Sequence, residues 1–194
     1  MIKLEDKIRS EKEVPIIGII GSTSPINPYT RNMGVDVGYE LRKYLNDKKG
    51  TLFTGGVNGV GVDVYTGVLK YCIENYGKRV LPFKKNIPDD RFFVLVPEEM
   101  EMPLFHGIFK EENIHESSFT KVIYEPPEAY TALAALSSKH KLDIIRAGEN
   151  MNKRRKYVAK VADALVVVNG GYGTLDEALS LLLEGKPLIT LPYS

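Results

Sequence analysis

The run "VPIIGIIGST" at residues 14–23 restricts this chain more than any other stretch, because it is apolar, β-branched, uncharged and closed by glycine and hydroxyl residues. Such a run fits a strand of a parallel sheet, where helices cover both faces and neither side meets water. "RNMGVDVGYELRKYLNDKKG" follows, with Met33, Val37, Leu41 and Leu45 at helical spacing and Gly50 placed as a stop. "GTLFTGG" and "VDVYTGVLKYCIENYG" repeat the strand-loop-helix unit, and "RFFVLVP" adds a strand stopped by Pro97. Further on, "EAYTALAALSSKHK" reads as a helix, "LDIIRAG" as a strand, "NMNKRRKYVAKVADA" as a helix and "LVVV" as a strand. The helix "TLDEALSLLLEGK" and the strand "PLITLP" close the series. This alternation predicts an α/β fold: a Rossmann-like open, mostly parallel sheet with helices on both faces and ligands at the carboxyl ends of its strands.

One domain spanning 1–194 accommodates all of it, with 43% hydrophobic residues supplying the core. Residues 98–127 mix acids, aromatics and prolines, with a candidate strand at "KVIYE", and read as an irregular insertion or lid. Twenty-six Lys and Arg against 25 Asp and Glu leave no global positive field, so nucleic acid is not an expected partner and a small ligand is. Cys72 is the lone cysteine, which excludes an internal disulfide and places it in the core. His106, His115 and His140 lack metal spacing. The sequence shows no secretory leader and no apolar run of about 18 residues or more, so no membrane contact and a cytoplasmic location are expected.

Three glycine-bearing loops follow strands: "GSTS" from Gly21 and Ser22, "TGGVNGVG" with Gly55, Gly56 and Gly59, and "NGGYGT" with Gly170, Gly171, Gly173 and Thr174. In a parallel sheet they emerge at one edge, where free helix amides and close backbone approach suit a phosphate. Neither GxGxxG nor a P-loop is complete, which disfavours a standard dinucleotide or ATP site. Tight turns alone also explain glycines at strand ends. Thr174-Leu175-Asp176-Glu177 is an S/T-x-x-E capping box, so Thr174 is expected to cap the last helix and Glu177 to bond back to the cap amide. In the preceding helix Met151, Val158, Val161 and Ala162 form an apolar stripe that contains Arg154, with Arg155 at its margin. An inward arginine requires an anionic or hydrogen-bonding partner. Tyr29 and Tyr172, in two of the loops, are expected to pack.

"MNKRR", "DAL" and "NGGYGTLDE" together resemble the Lonely Guy (LOG) family of nucleotide phosphoribohydrolases, many of whose members carry the older label lysine decarboxylase. The resemblance is strong over residues 151–187 and looser over residues 16–97. It implies that Arg154 and Glu177 are the catalytic pair and that Gly170, Gly171, Gly173 and Thr174 line the nucleotide phosphate site, with Gly55, Gly56 and Gly59 supporting it. The implied reaction is hydrolysis of the N-glycosidic bond of a nucleoside 5′-monophosphate, with no metal or organic cofactor. A homodimer is implied by the same analogy. Asn169 stands where the family has proline, Asn152 where it has histidine, and Arg155 where it has lysine. The insertion at residues 98–127 is longer than the family pattern, and the family's final helices have no counterpart before Ser194. Two other readings share the glycine pattern: a non-catalytic nucleotide or cofactor carrier resembling molybdenum cofactor carriers, and a DNA-binding module of the DprA type. Lysine decarboxylation is disfavoured, since no Schiff-base lysine with a pyridinium partner stands out.

Overall fold

The computed structural model describes residues 14–23, 28–48, 50–55, 59–76, 92–99 and 143–191. Within them lie six strands: β1 (Ile16–Gly21), β2 (Thr51–Thr54), β3 (Phe92–Val96), β4 (Asp143–Arg146), β5 (Ala164–Val168) and β6 (Leu188–Leu191). Four helices accompany them: α1 (Pro28–Asp47), α2 (Val60–Tyr76), α3 (Met151–Val161) and α4 (Tyr172–Leu183). The strands form one sheet in the order β4-β3-β2-β1-β5-β6, and every pairing is parallel. The chain thus builds outward from β1 to one edge and then returns to β1 with β5. That reversal opens a crevice between the loops after β1 and β5, the place where open α/β sheets hold ligands.

Strand periodicity divides the core in two. Ile19, Leu52, Phe92, Val94, Val96, Val166 and Val168 pack with Leu45 of α1 and with Val60, Val64 and Val68 of α2. Their neighbours Ile16, Ile20, Phe53, Phe93, Leu95 and Leu165 pack with Val158 and Val161 of α3 and Leu181 of α4. Helices therefore cover both faces, as the uncharged strands predict. Each such side chain contributes about 1.5–3 kcal/mol on burial. The stacked rings of Phe53 and Phe93, 5.1 Å apart between centroids, join β2 to β3. Cys72 is buried in the α1–α2 cluster, as expected.

Two polar fastenings fix the returning unit. The Ile16 amide donates to Asp163 Oδ2 at 2.8 Å, while the Asp163 amide donates to the Ile16 carbonyl at 2.8 Å. This pins the start of β5 beside the start of β1, so the aspartate of "DAL" has a structural task. Lys186 Nζ donates to the carbonyls of Ala159 at 2.7 Å and Lys160 at 3.2 Å, closing the carboxyl end of α3. The outer face of α4 leaves Leu175, Leu179, Leu182 and Leu183 exposed. Among the described residues, no helix is long and apolar enough to cross a membrane. Of residues 98–127, only Glu98 and Glu99 are described. The predicted strand "KVIYE", the predicted helix "EAYTALAALSSKHK" and the three histidines lie outside the described residues.

Helices α1 and α2 meet backbone to backbone. A Cβ on Gly38 would overlap the Val64 carbonyl oxygen, and one on Gly67 would overlap that of Val35. Neither obstacle is a flexible side-chain end, so the helices would have to separate. Gly38→Ala and Gly67→Ala are each expected to lower unfolding stability by about 1–3 kcal/mol, measured by urea titration. Wild-type stability in both variants would contradict the close crossing.

Candidate functional site

Loop chemistry after β5 sets the site. Asn169 adopts a left-handed backbone with φ of 54°, a conformation asparagine tolerates better than most residues. Its Oδ1 accepts from the Gly170 amide at 2.6 Å, so the asparagine that replaces the expected proline does form a turn. The Gly170 amide is thereby committed to the turn. Gly171 is the N-cap of α4 and offers no side-chain bond to it.

The expected capping box does not form. Because α4 starts at Tyr172, Thr174 is its third residue rather than its cap, and Glu177 faces inward. The physical reason is competition for the carboxylate. An exposed cap amide can be served by water, whereas a buried guanidinium without an anion would be costly. Thr174 and Glu177 are both buried, at 8% and 5% exposure. Among the described residues, no side chain caps α4.

Helix α3 delivers that guanidinium. Asn150 caps the helix, its Oδ1 accepting from the Lys153 amide at 3.1 Å, and this sets the phase that turns Arg154 inward with Val158 and Val161. Met151, expected on the same stripe, instead sits at the rim with 36% exposure. Arg154 Nε donates to the Leu95 carbonyl at the end of β3, at 2.9 Å, and Nη1 donates to Glu177 Oε1. Among the described residues, Nη2 is buried without a hydrogen-bond partner. It lies against Gly55, where a Cβ would stand 2.6 Å from it, so the glycine after β2 makes room for the arginine.

Burial pushes the Glu177 carboxyl above its ordinary value, with Arg154 and then Arg155 opposing the shift. Desolvation likewise works against the Arg154 guanidinium, with Glu177 opposing it. Arg155 stands next to this pair. It donates from Nη1 to Asn152 Oδ1 at 3.1 Å and lies 3.6 Å from Asp176 Oδ2. A Cβ on Gly173 would stand 2.8 Å from Arg155 Nη2, so this glycine too accommodates an arginine.

A cleft of about 270 Å³ gathers these groups. Gly21, Ser22 and Thr23 line it from β1 and its loop, and Thr54 and Gly55 from β2. Met151, Arg154 and Arg155 contribute from α3, with Gly171, Gly173, Thr174 and Glu177 at the start of α4. Most predicted site residues thus converge. Gly170 and Gly59 do not line the cleft. Gly59, at φ of 79°, instead accepts the Val62 and Asp63 amides at the start of α2. Gly56 lies outside the described residues. Arg155, Thr23 and Thr54 are cleft residues that sequence reasoning did not select, although Arg155's place on the stripe margin was the available signal. Tyr29 and Tyr172, expected to pack, are 57% and 84% exposed.

Fold and site define a Rossmann-like α/β protein with a polar cleft at the switch point of its sheet. Residues 105–189 match the family model described as "Possible lysine decarboxylase". No curated protein matches the sequence. The structure is similar to the molybdenum cofactor binding protein from Rippkaea orientalis, at 19% identity and a TM-score of 0.55 over 95% of this chain and 80% of that one. The protein TM1055 is similar at 19% identity and a TM-score of 0.53, covering 90% of this chain and 72% of its own. DNA processing protein A from Helicobacter pylori, which binds single-stranded DNA, gives 14% identity and 0.53 over 97% and 69%. At these identities the likeness is one of fold.

Removing one member of a buried pair strands the other. Arg154→Met is expected to lower stability near neutral pH by about 3–5 kcal/mol. With its cation gone, Glu177 is held further above its ordinary 4.5, so the folded state binds its proton more tightly than the unfolded chain does. The penalty is full above the raised value and shrinks as pH falls toward 4.5. Thermal melts from acidic to neutral pH check this, and a pH-independent gap between variant and wild type would contradict it.

Proposed function

We propose that the protein is a nucleoside 5′-monophosphate phosphoribohydrolase that hydrolyses the N-glycosidic bond to a free base and ribose 5-phosphate. The observation that carries this reading is the buried Arg154–Glu177 pair on the wall of a cleft built from three strand-end loops. A carboxylate in so dry a place acts strongly on positive charge, and cleavage of this bond develops such charge on the ribose. In this reading water attacks C1′ as the bond to the base breaks. Glu177 stabilises the oxocarbenium-like centre and orients or deprotonates the water, while the base leaves with the bonding pair and takes up a proton.

Arg154 performs two tasks in this scheme. Its Nε–Leu95 bond fixes the guanidinium, and the fixed Nη1 holds Glu177 in one orientation. Its Nη2, buried beside Gly55 with no partner among the described residues, is the remaining donor that an acceptor on the nucleotide would satisfy once the ligand enters. Phosphate bound at the open start of α4 would set the distance between C1′ and Glu177, converting binding energy into orientation. The match of residues 105–189 to the model described as "Possible lysine decarboxylase" supports the reading. The likeness to a molybdenum cofactor binding protein supplies the competing one, a carrier that holds its ligand without cleaving it.

Base release from a panel of nucleoside 5′-monophosphates, followed by chromatography, is the test. Wild type is expected to release base from at least one member. Glu177→Gln, which keeps the side chain's shape, is expected to lose about 10²-fold or more in kcat with its circular dichroism unchanged. Tight nucleotide binding without release, unaffected by Glu177→Gln, would favour the carrier, and wild-type inactivity on the whole panel would sink the hydrolase. In active protein the acidic limb of kcat/KM is expected above the ordinary 4.5, because burial raises the Glu177 carboxyl. A limb at or below 4.5 would show that another group titrates.

A further inference from the structure

The described side of the cleft holds two arginines with different degrees of freedom. Arg154 is fixed by Leu95 and Glu177 and almost fully buried, whereas the side chain of Arg155 is 22% exposed. Arg155's two contacts are weak in kind: a 3.1 Å bond to the amide oxygen of Asn152 and a 3.6 Å approach to Asp176, a carboxylate 49% exposed. Neither resembles the close fork-like pairing that locks an arginine in place. Gly173, lacking a side chain, leaves the guanidinium resting against the first turn of α4. Among the described residues, nothing beyond its chain neighbours lies within 4 Å of where a Cβ of Gly171 would be, and no side chain caps the helix.

A second, independent observation places an anion acceptor on the same wall. Arg154 Nη2 is buried and has no hydrogen-bond partner, although its other two nitrogens are used. Nothing within the described residues satisfies it. An oxygen-rich ligand entering between Gly55 and Gly173 would reach the partly exposed guanidinium of Arg155 first and lie beside the buried donor of Arg154.

We propose that Arg155 is the residue that recognises the charge of a sugar phosphate here, and that Asp176 restrains it until the phosphate displaces the carboxylate. The proposal deepens the reading of the cleft as a phosphorylated-ligand site and is independent of whether the ligand is cleaved. A phosphate dianion offers several strong acceptors and more charge than the solvated Asp176 carboxylate, so the guanidinium turns from one to the other. Asp176 is then a competitor of the ligand rather than part of its binding site. This assigns opposite signs to two neighbouring residues, which a general electrostatic effect of the cleft does not do in a coupled way.

Calorimetric titration of the full chain with ribose 5-phosphate, with ribose as the uncharged control, tests it. Arg155→Gln is expected to weaken ribose 5-phosphate binding about tenfold or more, and Arg155→Lys by less. Asp176→Asn is expected to tighten binding about two- to fivefold. That gain should vanish in the Arg155→Gln/Asp176→Asn double variant, since it acts through Arg155. Unchanged binding in Arg155→Gln, or a gain from Asp176→Asn that persists without Arg155, would overturn the assignment. If the couplings hold while no nucleotide is cleaved, the hydrolase reading fails and this one stands. Absence of wild-type affinity for ribose 5-phosphate overturns it outright.

Discussion

A guanidinium and a carboxylate sealed together at the end of a parallel sheet constrain this molecule more than any single apolar contact. Each ion loses hydration worth several kcal/mol on burial, and their attraction offsets that loss only when the remaining donors and acceptors are matched. Arg154 finds one match in the Leu95 carbonyl of β3 and another in Glu177 of α4. Three elements distant in sequence must therefore arrive within hydrogen-bond reach of one side chain. Among the described residues the third nitrogen remains unmatched, and an imperfectly satisfied buried cation is a feature that ligand sites have and structural ion pairs usually lack.

The sheet makes this convergence possible. Strand order reverses at β1, so the loops after β1 and β5 part and leave a crevice between them. The apolar strands β1, β2, β3 and β5, packed on both faces, hold that geometry, and the Asp163–Ile16 exchange fixes where β5 begins. The glycines then divide their labour in a way their spacing does not reveal. Gly55 and Gly173 make space for the two arginines, and Gly59 begins α2. Gly171 has open space before it. The glycine-rich loops are thus as much a seat for cationic side chains as a cradle for a ligand.

Much of the fold was legible because a buried parallel strand must be apolar throughout, and "VPIIGIIGST" and "RFFVLVP" permit no amphipathic alternative. The inward position of Arg154 followed from the 100° step of a helix. Glu177's role in the helix was misread for a definite reason. Thr174-x-x-Glu177 satisfies the local rule for a cap, but the buried arginine, contributed by another helix, outcompetes the local amide. Exposure of Tyr172 was equally invisible, since helix phase at a start without a side-chain cap depends on which residue begins the turn. The backbone contact of Gly38 with Val64 is a property of two helices together, and a single helical pattern carries no sign of it.

Helices α3 and α4 are tied at both ends of the unit between them, by Arg154 to Glu177 at one end and by Lys186 to the last carbonyls of α3 at the other. One residue inserted or removed in the loop before α4 would turn that helix by about 100°, carrying Glu177 away from its cation. The segment is therefore closed to changes of length while open to changes of side chain. The 23-residue separation of Arg154 from Glu177 is thus set by the phase of two helices rather than by the identity of the residues between them.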